Sequence, residues 1–330
     1  PILRQRHLIR KARLGGGQWL VAEADESDGS FLRLNPAVAI VTNIDNDHLS
    51  THDGDFERLK RSFVDFLHNL PFYGLAVLCT DDANVRAILP KLSRPVIGYG
   101  LGEGVDLRAV NVRRDGLRTH YTALRRGADC GLEVTVNLAG LHNVQNSLAA
   151  IAVAQELGVA DGVIQRALAN FQGIDRRLQH IGDVALHGGP VTVIDDYGHH
   201  PAEIAATLDA VRQGYGGRRI VLAFQPHRYS RTRDLLDDFA SVLSTADALL
   251  VTEVYAAGEV AIPGADGRAI CRAVRSRGQV EPVFVEKAEE LPQALAAVIA
   301  PGDVVVMMGA GSISTVAHEL PARLARETAL

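Results

Sequence analysis

Two segments in the first third of the chain carry side chains that can hold a metal ion. AEADESDGSF (22–31) crowds four carboxylates behind a short apolar run, and TNIDNDHLSTH (42–52) adds histidine. Like charges this close repel unless a cation balances them, and oxygen ligands suit Mg²⁺. If the strands before them are neighbours, Glu23 and His48 face one cleft and can hold a metal that bridges phosphates. An acidic loop in water and a capping histidine are the ordinary alternatives.

Two further segments suit a nucleotide. In GLHNVQNSLAA (140–150), Asn143 stands at the start of an alanine-rich helix. Polar residues there are usually caps, and a contact to a nucleotide base is the more specific alternative. GIDRRLQ (173–179) carries Arg176 and Arg177. A guanidinium group matches phosphate oxygens in a fork, although a surface arginine pair would have the same sequence.

Two segments in the second half suggest a pocket for an anionic group. DDYGHHPAE (195–203) joins two acids, a tyrosine and two histidines where a helix is expected to begin. QPHRYSRTRD (225–234) follows the next predicted strand. Its basic side chains are His227, Arg228, Arg231 and Arg233. Arg228 and Arg231 are three residues apart and share a face if helical, which fits a carboxylate or a phosphate. A core histidine and a solvated charged loop are the ordinary alternatives.

The first half of the chain mixes strand and helix patterns. Short apolar runs at 19–24, 37–43 and 75–80 predict buried parallel strands. Residues 106–138 alternate in polarity, with Asp-Gly at 115–116 as a hairpin signal, which predicts a small antiparallel sheet. Helices are expected at 56–70, 144–157 and 161–171.

The second half repeats strand–helix units. Strands are expected at 190–196, 219–224, 248–254, 282–286 and 303–309. Helices are expected from Pro201 and near 231–244. This alternation predicts a parallel, doubly wound sheet, which binds ligands at the carboxyl ends of its strands. The polar segments DDYGHHP, QPHRYSR and EVYAAGE each follow one of these strands.

Composition excludes several classes of protein. A net charge of −5 leaves no basic field to hold nucleic acid. No apolar run reaches the roughly eighteen residues that a membrane span needs, so we expect no membrane insertion. The three cysteines are far apart and form no CxxC motif, which fits a reducing cytosol. We therefore expect a cytoplasmic protein, either a monomer or a weak homodimer.

Together these segments resemble the Mur ligases of peptidoglycan synthesis, most closely the branch that adds L-alanine to UDP-N-acetylmuramate. The matching segments, in the order expected for the family, are AEADESDGSF, TNIDNDHLSTH, FLHNLPFYG, GLHNVQN, DDYGHHPAE, FQPHRYSRTRD, EVYAAGE and IPGAD. DDYGHHP and QPHRYSR distinguish this branch from its sister ligases.

The resemblance implies an α/β fold in two domains. A central Mur-ligase ATPase-type domain, truncated at its N-terminus, would occupy 1–176 and combine a parallel sheet with a small antiparallel sheet. A doubly wound, Rossmann-like domain that binds the amino acid would occupy 177–330. In the implied ATP-dependent reaction, the muramyl carboxylate attacks the γ-phosphate, and the amine of L-alanine then displaces phosphate from the acyl phosphate. Charge accumulates between anions, so Mg²⁺ and arginines are required.

Carried over by position, the resemblance assigns Glu23 and His48 to the Mg²⁺ site. It places Asn143 near the adenine, Arg177 at an ATP phosphate and Asp196 near the nucleotide. The residues expected to line the amino-acid and carboxylate pocket are His199, His227, Arg228 and Arg231. The catalytic set that the resemblance implies is Glu23, His48, Arg177 and His199.

Two departures from the family pattern affect the expected activity. The family's phosphate loop follows GxxGKT or GxHGKT, and this sequence contains no Gly-Lys dipeptide. A UDP-binding domain is not matched either. We therefore expect a fragment without appreciable ligase turnover on its own. The alternatives are a non-catalytic ligand-binding module derived from a Mur ligase and the sister ligase that recycles wall tripeptide, which DESDGSF and QPHRYSR fit less well.

Overall fold

The structure, a computed structural model, describes residues 16–26, 29–45 and 55–327. These residues form two compact units. The first consists of the described residues up to Val112, Tyr121–Val134 and Val144–Ala169, and the second of Arg113–His120, Thr135–Asn143 and the chain from Asn170 onward. The domains proposed at 1–176 and 177–330 stay a prediction. The predicted metal ligand His48 lies outside the described residues.

One six-stranded sheet spans the first half of the chain in the order β1-β2-β3-β4-β5-β6. Its strands are β1 (Val38–Val41), β2 (Leu75–Cys79), β3 (Val96–Gly100), β4 (Leu107–Asp115), β5 (Arg118–Arg125) and β6 (Leu132–Val136). The first four strands pair in parallel. The alternating region at 106–138, expected to form a small antiparallel sheet, supplies β4, β5 and β6. It is continuous with the parallel strands, because β4 pairs with β3.

The three helices predicted in this half are confirmed as α1 (Phe56–His68), α3 (Leu141–Glu156) and α4 (Asp161–Asn170), and a further helix, α2 (Ala83–Ile88), was not predicted. The side chain of Asp55 caps α1 by accepting from the amides of Glu57 and Arg58. The apolar face of α1, including Leu59 and Leu67, is buried in the core of the first unit.

The strand expected at 19–24 is not formed. These residues have no regular secondary structure, and Leu20 and Val21 are 91% and 92% exposed. A strand requires a hydrogen-bonded neighbour, and within the described residues β1 pairs with β2 alone. The apolar run indicated a strand but could not supply that partner.

A second six-stranded sheet has the order β11-β10-β9-β12-β8-β7. Its strands are β7 (Gln179–Leu186), β8 (Gly189–Asp196), β9 (Ile220–Phe224), β10 (Ala248–Thr252), β11 (Pro282–Val285) and β12 (Val304–Met308). Five of them are parallel, as predicted. The sequence analysis missed β7, which pairs antiparallel with β8 at the edge and contains an irregularity between His180 and Gly182.

The helices of this unit are α5 (Pro201–Gly214), α6 (Tyr229–Asp234), α7 (Leu236–Leu243), α8 (Gly267–Arg277), α9 (Leu291–Ala296) and α10 (Ile313–Glu327). Helices α5, α7 and α8 pack on one face of the sheet, and α9 and α10 on the other. The doubly wound prediction is therefore confirmed. The single helix expected near 231–244 is two, because Leu235 leaves helical geometry at φ −117°. In the described parts of the chain, no helix combines the length and apolarity needed to cross a bilayer.

Candidate functional site

The carboxyl end of β8 places two aspartates on opposite faces of the sheet. Asp196 accepts hydrogen bonds from the amides of Leu178 and Gly198, both at 2.8 Å, and from the Thr207 hydroxyl at 3.2 Å. Asp195 accepts from the Ser314 hydroxyl at 2.6 Å on the α10 side. Burial raises the pKa of both carboxyl groups, because it penalises their charged forms.

The segment between β8 and α5 holds His199 in a fixed orientation. The Nδ1 atom of His199 lies 3.1 Å from the Tyr197 carbonyl oxygen and 3.3 Å from the Glu203 carboxylate. The Tyr197 ring meets the His199 ring edge-on, with centroids 5.2 Å apart. The predicted site residue His199 therefore has its orientation set by neighbours on both sides.

The segment after β9 brings His227 beside His199, and Arg231 lies against His227. The His227 ring lies 5.5 Å from that of His199 and stacks on Tyr255 at 5.6 Å with an interplanar angle of 10°. Arg231 is buried, and its guanidinium lies 3.5 Å from the His227 carbonyl. Arg228 is exposed. The predicted pocket residues His199, His227 and Arg231 thus lie together, and Arg231 is the buried cation among them. The fourth, Arg228, is at the surface.

The protonation of His227 follows from these neighbours. Burial, followed by the charges of His199, Arg231 and Arg228, lowers the pKa of His227 to about 4. All of these effects disfavour the imidazolium form. At neutral pH His227 is therefore an uncharged aromatic ring in a basic surrounding.

The loop after β12 packs against the segments that follow β9 and β10, and the sequence analysis did not single it out. Gln225 donates to the Ser312 hydroxyl at 3.2 Å and accepts from the Ile313 amide at 3.0 Å, where α10 begins. A side chain at Gly309 would meet the Gln225 carbonyl, and one at Gly311 would meet Tyr255. The available signal was GAGS between a predicted strand and a helix, a spacing that permits close backbone approach.

The predicted nucleotide residues lie on the same unit. Arg177 places its guanidinium 3.3 Å from Glu203 and 5.8 Å from the centre of the Tyr197 ring. Burial and then the charge of Arg177 lower the pKa of His142, which precedes Asn143 in α3. The Asn143 amide donates to the Ala139 carbonyl at 2.7 Å. Arg177 is therefore electrostatically linked to the start of the helix that carries Asn143.

The predicted metal ligand Glu23 lies in the other unit. Glu23 is exposed and has no regular secondary structure around it. Among the described residues, no group of three or more histidine, cysteine or acidic side chains could hold a metal ion. The described residues therefore bring His199, His227 and Arg231 together but give no geometry for the metal.

Comparisons with known proteins match both halves of the chain to one family. The Mur ligase middle domain matches residues 6–154, and the Mur ligase glutamate ligase domain matches residues 176–311. The UDP-N-acetylmuramate–L-alanine ligase of Methylococcus capsulatus is 57% identical over 316 residues, which are 96% of this chain and 67% of that protein. The corresponding ligase of Burkholderia multivorans is 58% identical, with the same shares covered.

A solved structure gives the same result. The crystal structure of the UDP-N-acetylmuramate–alanine ligase from Thermotoga maritima superposes with a TM-score of 0.72 at 28% identity. The match covers 92% of this chain and 63% of that one, so the chain spans about two thirds of the length of the proteins it matches. The chain belongs to the Mur ligase family of ATP-dependent ligases, in the branch of the UDP-N-acetylmuramate–L-alanine ligases.

Proposed function

We propose that the chain takes part in the ATP-dependent joining of L-alanine to UDP-N-acetylmuramate, and that its second unit holds the amino acid. The observation that carries the proposal is the guanidinium of Arg231, which is 8% exposed and lies beside His227 at the carboxyl end of β9. A buried cation at the ligand-binding edge of a doubly wound sheet favours a small anionic ligand there.

In this proposal Arg228 and Arg231 hold the carboxylate of L-alanine. A guanidinium at low exposure forms stronger charge-assisted hydrogen bonds than one in open water, because less solvent screens it. His227 is uncharged at neutral pH since its pKa is lowered to about 4. Its ring can therefore line the pocket without repelling the ammonium group of the same ligand.

We assign Arg177 to an ATP phosphate, Asn143 to the adenine and Asp196 to the nucleotide side. The ion pair of Arg177 with Glu203 uses one guanidinium nitrogen, at 3.3 Å. A phosphate, which accepts two parallel hydrogen bonds, matches a guanidinium better than that single contact. Asp196 accepts from the amides of Leu178 and Gly198 and so fixes the residues next to Arg177 and His199.

The Mg²⁺ assignment to Glu23 and His48 rests on donor chemistry. Carboxylate oxygens are ligands that Mg²⁺ prefers, and Glu23, Asp25 and Glu26 lie within four positions of one another. When bound, the ion would neutralise charge on the phosphates. A cytoplasmic location and a monomeric or weakly dimeric state remain predictions of the sequence.

The alanine site is tested by calorimetry with L-alanine on the chain and on two arginine variants. Arg231→Ala should weaken binding by about 2 kcal/mol, roughly 30-fold, because it removes a charge-assisted hydrogen bond from a buried site. Arg233→Ala is the matched control. Arg233 stands two residues further on in α6, and its side chain is 57% exposed and paired with Asp234.

If both variants lose the same affinity for L-alanine, the assignment of Arg231 to the alanine pocket is refuted. Unchanged binding in Arg231→Ala would refute it as well. The same titration with the wall tripeptide tests the choice of substrate, since tighter binding of the tripeptide than of L-alanine would favour the recycling ligase.

A further inference from the structure

Glu203 touches both halves of the proposed site. Its carboxylate lies 3.3 Å from the Arg177 guanidinium through one oxygen and 3.3 Å from His199 Nδ1 through the other. The first partner is assigned to a phosphate and the second to the amino acid. One carboxylate therefore lies between the two ligands that the reaction must bring together.

The start of α5 fixes this carboxylate locally. Glu203 is the third residue of the helix, and its side chain turns back to accept from the amides of His199 at 2.9 Å and His200 at 3.2 Å. These are the bonds of a capping box, which satisfies amide groups at a helix start. Because they do not involve Arg177, the carboxylate stays in place whether or not Arg177 remains paired with it.

The contacts of His199 determine which of its ring nitrogens accepts a proton. Nδ1 faces two acceptors, the Tyr197 carbonyl oxygen at 3.1 Å and the Glu203 carboxylate at 3.3 Å. A nitrogen between two acceptors must carry the hydrogen, so in the neutral ring Nε2 is the acceptor. A ring in this tautomer can take a proton from the ammonium group of L-alanine onto Nε2, leaving an amine and an imidazolium.

Arg177 competes with His199 for the charge of the Glu203 carboxylate. The Arg177 side chain is 51% exposed and makes a single contact with Glu203, so a phosphate can replace Glu203 as the partner of Arg177. When Arg177 turns to a phosphate, the charge of Glu203 acts on His199 alone. Burial acts to raise the pKa of Glu203, but the hydrogen bond from the His199 amide and then the charges of His199 and Arg177 outweigh it, so that the pKa is lowered.

We infer that Glu203 is a positioning residue that fixes His199 in the Nε2-accepting tautomer and links its basicity to phosphate bound at Arg177. The inference rests on the proposed function for the roles of the two partners. By linkage, a bound phosphate makes His199 a stronger base for the amine, and protonation of His199 favours the phosphate. The amine thus becomes nucleophilic when the phosphates are in place.

Several charged or titratable groups surround this ring. Glu203 is on α5, Tyr197 and Arg177 lie on the β8 side, and His227 lies on the β9 side. The groups that act on His227 in turn are Arg231, Arg228 and Glu259. Tyr197 also contacts both His199 and Arg177, through its uncharged ring, whereas Glu203 contacts both through a carboxylate. Changes at Glu203 and Arg177 therefore test the effect of this charge.

The test is nuclear magnetic resonance of the ¹⁵N-histidine-labelled chain during a pH titration, with His199→Gln to assign the His199 signal. At high pH the wild-type ring should show a protonated Nδ1. Glu203→Gln keeps an acceptor for the helix cap but removes the charge. It should lower the midpoint of His199 protonation by about one pH unit, the lower end of the effect of an opposite charge in contact.

Arg177→Gln should raise that midpoint by about half a pH unit. In the double variant the effect of Arg177→Gln should fall to half or less, since Arg177 acts through Glu203. Asp266→Asn is the matched control, because Asp266 also caps a helix of this unit, at the Ala269 amide, and lies 3.9 Å from an arginine. It should leave the midpoint unchanged.

A wild-type ring protonated on Nε2, an unchanged midpoint in Glu203→Gln, or simple addition of the two effects would overturn the inference. If Glu203→Gln does not fold, Arg177→Gln alone decides, because it leaves the cap intact and an unmoved midpoint there refutes the link. No ligand is added, so these outcomes do not depend on whether L-alanine is the amino acid bound.

Discussion

The chain contains two Asp-Asp pairs that directly follow or end a buried parallel strand, and they serve different purposes. Asp81-Asp82 follows β2 in the first unit, and Asp195-Asp196 ends β8 in the second. Asp81 accepts from the amides of Leu101 and Gly102 and from the Gln145 side chain. Asp82 caps α2 at the Val85 amide. The first pair thus ties a loop and a helix together at a partly solvated edge.

The second pair is buried and lies near basic side chains. Asp195 and Asp196 are 0% and 2% exposed, and burial raises the pKa of both. Arg176 Nε lies 3.6 Å from the Asp195 carboxylate, and His318 lies 3.8 Å from it. One Asp195 oxygen, Oδ1, has no hydrogen-bond partner in the described part of the chain. A group with this unfavourable electrostatic environment is a mark of a functional site rather than of simple loop packing.

The two pairs differ in the residues that neighbouring strand ends place around them. Around Asp195-Asp196 the ends of β9, β10 and β12 contribute His227, Tyr255 and Gly309. Around Asp81 the neighbouring strand end contributes backbone amides. The same dipeptide therefore joins a loop to a helix where one strand end is near, and it lies at the proposed ligand-binding edge where several strand ends converge.

The difference between the two pairs is tested most strongly by substituting the glycine next to each of them. Gly309→Ala would place Cβ 2.6 Å from the Gln225 carbonyl oxygen at a φ of +148°. Backbone strain and a clash with a fixed carbonyl should together destabilise the chain by about 3 kcal/mol. Urea denaturation followed by circular dichroism measures this, and L-alanine binding should be lost with it.

The partner variant in the first unit is Gly100→Ala. Its Cβ would lie 2.5 Å from the Asp81 side chain, which can rotate away at the loss of its amide bonds. We expect about 1.5 kcal/mol of destabilisation, with L-alanine binding retained. If Gly100→Ala loses more unfolding free energy than Gly309→Ala, the surroundings of Asp81-Asp82 are the more rigid of the two.

The charge of Asp195 gives the second prediction. Its folded-state pKa is raised, so the stability it contributes is present below the unfolded pKa and lost as pH rises through the folded pKa. Asp195→Asn should therefore stabilise the chain at pH 7 by about 1.5 kcal/mol, because no buried charge remains. The gain should shrink as pH falls through the folded pKa of Asp195, which denaturation over a pH series would measure.

Asp81→Asn is the control for this charge effect. Its two carboxylate oxygens accept three hydrogen bonds, and an asparagine amide puts a donor in place of one of these oxygens. It should destabilise the chain by about 1 kcal/mol. If both substitutions stabilise, or if the gain at Asp195 is independent of pH, burial is not the reason for the shift at Asp195.

Most of the second unit could be predicted from the sequence, because its apolar runs are short and each ends in a polar segment. Strands β8, β9 and β10 and the clustering of His199, His227 and Arg231 follow from that pattern. β7 could not be recognised, since an antiparallel edge strand interrupted by an irregularity has a weaker pattern than a buried parallel one. The run at 19–24 shows the opposite error, because apolarity indicates a strand without indicating its partner.

The parts of the site that escaped prediction are contacts between distant segments. Tyr255 stacks on His227 because a bridge joins their backbones, and Gln225 reaches Ser312 across 87 positions of sequence. Glu203 lies in the segment DDYGHHPAE, but the sequence analysis singled it out neither as a helix cap nor as a partner of Arg177. Residue type and spacing locate each strand end, whereas the order of strands in the sheet decides which ends meet. The Mg²⁺ assignment at Glu23 and His48 stays a prediction for the same reason.

The smallest effect is expected from backbone strain at Arg228. Arg228 has φ 71° and ψ 134°, a region that favours glycine, and it is held there by its amide bond to the Tyr255 carbonyl at 2.9 Å. Arg228→Gly should raise the free energy of unfolding by about 1 kcal/mol and weaken L-alanine binding roughly tenfold, since strain is relieved and a charge is lost. Denaturation and calorimetry on one preparation measure both.

Two variants sharpen this result into a contrast between the units. Asn111→Gly in the first unit, where φ is 54°, should gain less than about 0.5 kcal/mol, because asparagine tolerates the left-handed region. Arg228→Lys keeps both strain and charge and should leave stability unchanged. If Arg228→Gly is less stable than wild type, the conformation at Arg228 carries no strain. If it binds L-alanine normally, Arg228 does not hold the carboxylate, and Arg231 does so alone.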